Sequence, residues 1–379
     1  MRGLAAGGEG VATASDGRVL FVPGTAPGDL VRVEWVAAAR RFGRARARAL
    51  LEPGQDRVEP RCPVFGRCGG CAWQHLRYPA QLAAKRRFLR DALERIGGFR
   101  LERDPPVEPS PSPYGWRIRA RIVAHHGRPA FRARGSRRPV PVDGCPVLAP
   151  PLDRELRRLA AEAALPPGEH ELVVGGGGAV RVVPLAAGGG RLQLPYEDVE
   201  VAISPGVFAQ GHAGLVGRLV EAVVRAAGRG RAALELYAGS GLLTGALARG
   251  FGRVVAVEGN PVAAADLRRN VARTGQRGVE VRAAAVEDAL PALAGFRFDC
   301  AVVDPPRSGL GARAREGLLR LAPARVVYVS CHPAALARDL RLLSQTGGYR
   351  LVGVEGLDLF PQTPHLESVA VLVREGGRG

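Results

Sequence analysis

Lysine is almost absent from this chain: among 54 basic side chains only Lys85 is a lysine, and the rest are arginine. Methionine occurs once, and asparagine only at Asn260 and Asn270. Such scarcities are those of a GC-rich source, so the formal net charge of +18 supports a polyanionic partner, RNA or DNA, without proving one. No stretch approaches the roughly 20 apolar residues that span a bilayer, and the N-terminus lacks the apolar core of a signal peptide. No membrane role and a cytoplasmic location are therefore expected. The six cysteines are Cys62, Cys68, Cys71, Cys145, Cys300 and Cys331. In a reducing compartment such thiols are buried, metal-binding or catalytic more often than disulfide-bonded. With 46% hydrophobic residues over 379 positions the chain is not disordered and has room for two or three domains.

Residues 1–57 alternate short apolar runs with glycine-rich turns and end in the basic stretch "AARRFGRARARALL", the pattern of a small OB-like β-barrel with a cationic outer strand. Barrels of this kind bind RNA. Residues 58–203 carry a cysteine-rich segment, a basic amphipathic helix at about 77–97, and then short strands and turns with one helical insertion near Leu152 to Ala164. From 204 to 379 apolar strands alternate with helices, which predicts a mostly parallel, doubly wound α/β sheet.

In that last part, "AALELYAGSGLLTGALARG" runs from a strand through a glycine turn directly into a helix. Gly239 and Gly241 let backbone amides approach a ligand at the crevice above the strand ends, and Glu258, about 20 residues beyond the first glycine, is placed for a ribose diol. Both a dinucleotide and S-adenosylmethionine suit this pattern. Glu235 favours the second, because an acid just before the turn suits an amino-acid moiety and opposes a pyrophosphate. The next strand ends in Asp304-Pro305-Pro306-Arg307, polar groups held at the crevice by a rigid turn.

Cys331 closes the following strand, "VYVSC", just before a proline-led helix. Cys300, inside "FDCAVV", reads as packing. Cys331 sits instead at a strand end, where helix amides are expected to stabilise a thiolate. A thiolate beside S-adenosylmethionine suggests one reaction in particular. Addition to uracil C6 makes C5 nucleophilic toward a methyl group, and a base must then remove the C5 proton. Glu367 in "PHLESVAVLV" is the candidate base, with His365 the weaker one.

The motifs "ELYAGSGLLTGALA", "VVAVEGN", "VVDPPRSGL", "VYVSCHPAALARD" and "DLFPQTPHLESVAVL" together resemble the RNA uracil-5-methyltransferase family, in order and spacing. The four-cysteine segment and the N-terminal barrel resemble the iron-sulfur-containing branch acting on 23S rRNA, whose barrel is of the TRAM type. The resemblance implies a Rossmann-like class I methyltransferase domain, with Cys331 as nucleophile and Glu367 as base. It implies cofactor contacts at Gln210, Tyr237, Gly239, Gly241, Leu242, Glu258 and Asp304, and substrate contacts at Phe208, Gln210 and Asp304. It also implies that the helix at 77–97 packs on the catalytic domain. Leu242, His212, His332 and Ala285 stand where the family usually has asparagine, and Leu242 offers no side-chain hydrogen bond.

"RCPVFGRCGGCAWQH" holds Cys62, Cys68 and Cys71, and Cys145 in "VDGCPVL" is a natural fourth ligand. Residue chemistry alone admits zinc or an iron-sulfur cluster, with His75 able to replace Cys145 in a zinc site. The resemblance favours [4Fe-4S], used for folding and RNA docking. The substrate is expected to be structured RNA, rRNA or alternatively tRNA, with no obligate protein partner evident. A cytosine-5 methyltransferase would carry a cysteine where Asp304 to Arg307 stand. A nicotinamide-dependent oxidoreductase is opposed by Glu235 and by the Cys331 and Glu367 pair, and a non-catalytic RNA-binding protein is the remaining rival.

Overall fold

The apolar, β-branched runs of the C-terminal half form the strands of one sheet: β1 (Gly230–Leu236), β2 (Phe251–Glu258), β3 (Val279–Ala283), β4 (Cys300–Val303), β5 (Arg325–Ser330), β6 (Tyr349–Leu357) and β7 (Glu367–Arg374). Their order across the sheet is β3-β2-β1-β4-β5-β7-β6. The first five run parallel, while β7 is antiparallel to both β5 and β6. A two-residue strand from far earlier in the chain, Val107–Glu108, joins β6 at the edge. The structure is a computed structural model that describes residues 1–186, 190–196, 199 and 201–376. Positions 187–189, 197–198 and 200 of the expected central domain, and 377–379 of the expected catalytic domain, lie outside the described residues.

Both faces of this sheet are covered, which is why its strands read as continuous apolar runs. Val327 and Val329 of β5 pack toward helix Ala213–Ala227, while Val326 and Tyr328 pack toward the helices at Tyr78–Arg95, Ala312–Leu321 and Pro333–Gly347. The first core continues without a break into the central part of the chain, through Val207, Ile203 and Leu192 to Leu172, Leu152 and Ile118. There a five-stranded sheet is covered by helix Pro150–Glu162.

In chain order the long helices are α1 (Tyr78–Arg95), α2 (Pro150–Glu162), α3 (Ala213–Ala227), α4 (Pro261–Arg273), α5 (Ala312–Leu321) and α6 (Pro333–Gly347). Both asparagines serve α4. Asn260 caps it, its side chain accepting from Val262 N at 2.9 Å and Ala263 N at 3.1 Å. Asn270 donates to Ala202 O and Ser240 O, tying the segment before α3 to the glycine turn after β1. The helix expected straight after that turn is only a short one, Thr244–Leu247, because the chain must reach β2 at Phe251 within a few residues.

The N-terminal strands Gly3–Leu4, Gly10–Thr13, Val19–Val22, Leu30–Ala38 and Phe42–Glu52 form a sheet in which the last strand lies between the third and the fourth. The basic strand is thus internal to the sheet order. It is outward-facing in its side chains: Arg44, Arg46 and Arg48 are exposed, while Ala45 packs inward. Among the described residues no ladder closes this sheet into a barrel, since the first strand is only two residues long. Its ends are joined instead through Met1, whose carbonyl accepts from Gly28 N at 2.8 Å and whose amine donates to Asp29 O at 2.5 Å. Among the described residues no helix is long and apolar enough to cross a membrane.

Candidate active site

The strand order reverses between β1 and β4, and a crevice opens beyond their C-terminal ends. A cavity of ≈ 660 Å³ lies there, within the size range of small-molecule sites. Its walls include Phe208, Gln210, Tyr237, Gly239, Leu242, Glu258, Asp304, Cys331 and Glu367, together with Glu235. Gly241 lines a smaller cavity behind Leu242.

Strand ends deliver Tyr237, Glu258, Asp304, Cys331 and Glu367, while Phe208 and Gln210 come from the loop before α3. At the β1 end, Tyr237 takes a left-handed backbone, φ +62°, which is unfavourable for a residue with a Cβ. Gly241 at φ +90° has no room for one, since a Cβ there would come within 2.5 Å of Leu267 Cδ1. Glu258 at the end of β2 accepts from Gly239 N at 2.7 Å and Asn260 N at 2.6 Å, so its carboxylate is locked against the glycine turn. Glu235 is buried and accepts from Thr244 Oγ1 at 2.6 Å.

Cys331 and Glu367 meet through strand register. The last pair of the β5 and β7 ladder is Ser330 with Ser368. Because the strands are antiparallel, the residues next beyond that pair are Cys331 on one strand and Glu367 on the other. Glu367 is buried, Gln210 hydrogen-bonds its carboxyl group, and Tyr196 Oη donates to Gln210 O at 2.6 Å. Phe208, by contrast, is 75% exposed, an aromatic ring left at the cavity mouth.

Burial governs the protonation of these groups. It pushes Glu235 up to about 8 against the opposing bond from Thr244, and Asp304 up to about 7. Glu367 is raised well above the usual carboxylate range by burial and by Asp304, with Gln210 and Arg307 opposing. The Cys331 thiol is also raised, first by burial and then by Glu367, and Arg307 only partly offsets this. Burial and Glu367 thus oppose the thiolate expected at this helix N-terminus, and Arg307 favours it. His365 is pushed down to about 4, chiefly by burial, and hydrogen-bonds Arg307 at 2.7 Å through Nε2.

The family profile described as tRNA (Uracil-5-)-methyltransferase matches residues 191–375. An RNA methyltransferase of Gloeobacter violaceus is 34% identical over 98% of this chain and 95% of its own length. The 23S rRNA (uracil(1939)-C(5))-methyltransferase of Alkalilimnicola ehrlichii is likewise 34% identical, over 98% and 95%. The crystal structure of the Pyrococcus abyssi tRNA (uracil-54, C5)-methyltransferase with S-adenosyl-L-homocysteine superposes with a TM-score of 0.78 at 28% identity, over 98% of this chain and 99% of that one. The chain belongs to the RNA uracil-5-methyltransferase family.

Against that background the four asparagine departures separate. Leu242 lines the cavity and contributes only apolar surface. His332 caps α6, its Nδ1 accepting from Ala335 N at 3.2 Å, and faces a second, outer groove. His212 precedes α3, bonds Ser110 Oγ through Nε2 at 2.7 Å and stacks on Trp116. Ala285 is an exposed residue at the start of a helical turn. Arg307, which the sequence places at the crevice without a role, and Phe360, which no local signal singles out, also line the cavity. An outer groove that no motif indicates runs from Ala5 and Gly70 past Arg95 and Arg134 to the same Cys331. Cys331 thus stands where two openings meet, one toward the glycine turn and one toward the N-terminal sheet.

Cys62, Cys68, Cys71 and Cys145 all line one further cavity. Among the described residues no three His, Cys, Asp or Glu side chains are drawn together as a metal site. Gly70 N donates to Cys68 Sγ at 3.4 Å, and the backbone amides of Cys62 and Cys145 are held by Gln74 Oε1 and Asp153 Oδ1. His75, which spacing allowed as an alternative ligand, is not among the cavity's lining and packs its ring on Phe65 instead.

The raised carboxyl groups give a signed expectation for the cofactor-free protein. With a folded value near 8 against an ordinary 4.5, the native state keeps a proton on Glu235 that the unfolded chain has released. The stabilisation from this group is complete below about 4.5, declines as pH rises, and is gone by about 8. Asp304 acts with the same sign up to about 7. Urea midpoints should accordingly fall between pH 5 and 8, and Glu235→Gln should flatten part of that slope. An unchanged slope in the variant would show that Glu235 ionises normally in the fold.

Proposed function

We propose that the protein methylates C5 of a uridine in structured RNA, most favourably 23S rRNA, with S-adenosylmethionine as methyl donor. The observation that carries this reading is the register that sets Cys331 beside Glu367 on the rim that also presents Asp304. The cavity suits the donor. Glu258 is held at the glycine turn, in the position expected for a ribose diol, and buried acids favour a ligand carrying positive charge. The Pyrococcus abyssi relative carries S-adenosyl-L-homocysteine, which supports the same cofactor here.

When bound, S-adenosylmethionine supplies an electrophilic methyl group. The protein's own residues do the remainder. The flipped uracil enters past Phe208, whose exposed ring offers a stacking surface. Cys331 Sγ releases its proton to solvent, Arg307 stabilising the thiolate, and bonds to C6 as the C5–C6 π electrons move onto the C4 carbonyl oxygen to give an enolate. Electron density released toward C5 makes that carbon the nucleophile. Once C5 carries the methyl group, Glu367 takes its remaining proton, and the returning electrons break the C6–S bond. Gln210 holds the Glu367 carboxyl in place throughout.

The exposed arginines of the N-terminal sheet, with Trp35 and Phe42 also part-exposed beside them, suit a TRAM-type surface for RNA backbone and bases. The four cysteines are assigned to a [4Fe-4S] cluster that orders the segment between this sheet and the active site. Zinc is the alternative that four thiols also accept. A tRNA substrate is the second reading, favoured by the end-to-end likeness to the Pyrococcus abyssi enzyme.

Cys331→Ala should abolish methyl transfer while RNA binding persists, and retained turnover would remove Cys331 as nucleophile. With Glu367→Gln a covalent protein–RNA adduct should accumulate on denaturing gels, whereas prompt release of methylated product would remove Glu367 as base. Anaerobically purified protein should be brown and contain iron and sulfide; colourless protein with stoichiometric zinc would replace the cluster assignment. Nucleoside mass spectrometry mapped along rRNA and tRNA from a strain lacking the protein should show one missing 5-methyluridine in 23S rRNA. Its loss from tRNA instead would establish the second reading.

A further inference from the structure

The chain's single lysine is fully buried, in α1, where a cation has no contact with solvent. Lys85 Nζ donates to Asp358 Oδ1 at 2.5 Å and to Phe360 O at 3.0 Å. Asp358 is equally buried and accepts on its other oxygen from Tyr78 Oη at 2.9 Å. Tyr78 Oη in turn accepts from Ser110 N at 2.7 Å. One helical turn from Tyr78, Gln81 Nε2 donates to Gln362 Oε1, and Gln81 Oε1 accepts from Gln362 N, both at 3.0 Å. Gln362 itself takes a left-handed backbone, φ +68°. The loop from 358 to 366 is therefore gripped at two places by a helix that lies more than 250 residues earlier in the chain.

That loop is the link between the last two strands. The final pair of the β6 and β7 ladder is Leu357 with Glu367, so Asp358 is the first residue to leave the sheet, next to the pair that contains Glu367. Phe360 lines the inner cavity, while Thr363, Pro364 and His365 line the outer groove. We propose that Lys85 is a positioning residue for methyl transfer: its ammonium clamps the 358–366 loop so that Glu367 and Phe360 are held in register with Cys331. This rests on the proposed role of Glu367 as the base.

The choice of lysine has a physical reason in a chain that otherwise uses arginine. The position receives a compact cation between one carboxylate oxygen and one carbonyl. A planar guanidinium is wider and brings more donors than these acceptors satisfy. The cation also cannot be simply deleted, because Asp358 would then remain as a buried charge with only Tyr78 and the backbone to bond it. A loop so held is rigid at its base, as a proton-abstracting carboxylate requires, since displacements of about 1 Å at a reacting group cost on the order of 100-fold in rate.

The test uses the full-length protein, with Lys85→Met and Tyr78→Phe as variants and Glu367→Gln as control. Folding is checked by circular dichroism and thermal melting, kcat and the KM for S-adenosylmethionine are measured on an RNA substrate, and covalent adduct is scored on denaturing gels. Lys85→Met should lose about 10- to 100-fold in kcat with the cofactor KM within about threefold of the parent, and should trap adduct as Glu367→Gln does. Tyr78→Phe, which keeps both charges, should show the same split at about three- to tenfold, and it decides the question where Lys85→Met does not fold. A kcat within about twofold of the parent in a folded variant overturns the proposal, and so does a cofactor KM that rises in step with the loss of kcat. Adduct in Glu367→Gln together with normal turnover in the clamp variants removes Lys85 alone. Absence of adduct in Glu367→Gln removes the base assignment, and the split between kcat and KM then judges Lys85 by itself.

Discussion

The site depends on the pairing of two strands, β5 and β7, in one antiparallel register. Ser330 opposite Ser368 sets the thiol of the next residue on one strand against the carboxyl of the preceding residue on the other. A slip of one residue would turn Glu367 to the opposite face of the sheet and separate the pair. Such slips are resisted because both faces of β5 are buried, Val327 and Val329 against α3, Val326 and Tyr328 against α5 and α6. Tyr328 adds a directional constraint, its hydroxyl donating to the buried Asp339 of α6 at 2.6 Å. The relative position of Cys331 and Glu367 is thus set by packing along the length of β5.

The other flank of Glu367 is set by β6 and by a helix from the N-terminal half. Through the shared core running from Ile118 to Val327, and through Lys85 and Asp358, the first half of the chain completes the site formed by the second. It also builds the outer groove, whose walls come from the N-terminal sheet, the cysteine segment, α1 and the loop before β7. Cys331 is in this way reached from two openings, one lined by Phe208 and the glycine turn and one lined by the first half of the chain.

Much of this was legible in the sequence because parallel strands buried on both faces leave unbroken apolar runs, and because their ends carry the polar residues. Asp304, Cys331, Glu258 and Glu367 were each found as the residue that stops or starts such a run. What could not be read was pairing across distance. Nothing local in "LAAKRRFLR" shows that Lys85 is buried against Asp358, and the helical periodicity there matches a basic surface helix equally well. The same holds for the thiol: its position beside a helix N-terminus suggested ionisation, whereas burial and the facing Glu367 raise it. The short helix after the glycine turn and the open N-terminal sheet reflect lengths of connecting chain, which hydrophobic patterning does not encode.

The accumulation of acids in the inner cavity has one further consequence on the proposed reading. Glu235, Asp304 and Glu367 are each disfavoured as anions by burial, so the empty site holds protons that a cationic ligand would displace. A sulfonium donor brings a positive charge into this cavity, and the thioether left after transfer no longer carries it. Attraction between the acids and the ligand therefore falls at methyl transfer, and in the step that follows Glu367 gains a proton from C5 and ceases to be an anion. Together the two steps consume one cation and one anion at unchanged net charge, so the low-dielectric cavity accommodates fewer separate charges after turnover than before it. The burial that makes these carboxyl groups difficult to ionise thus acts most strongly on the substrate complex, which holds more separated charge than the product complex.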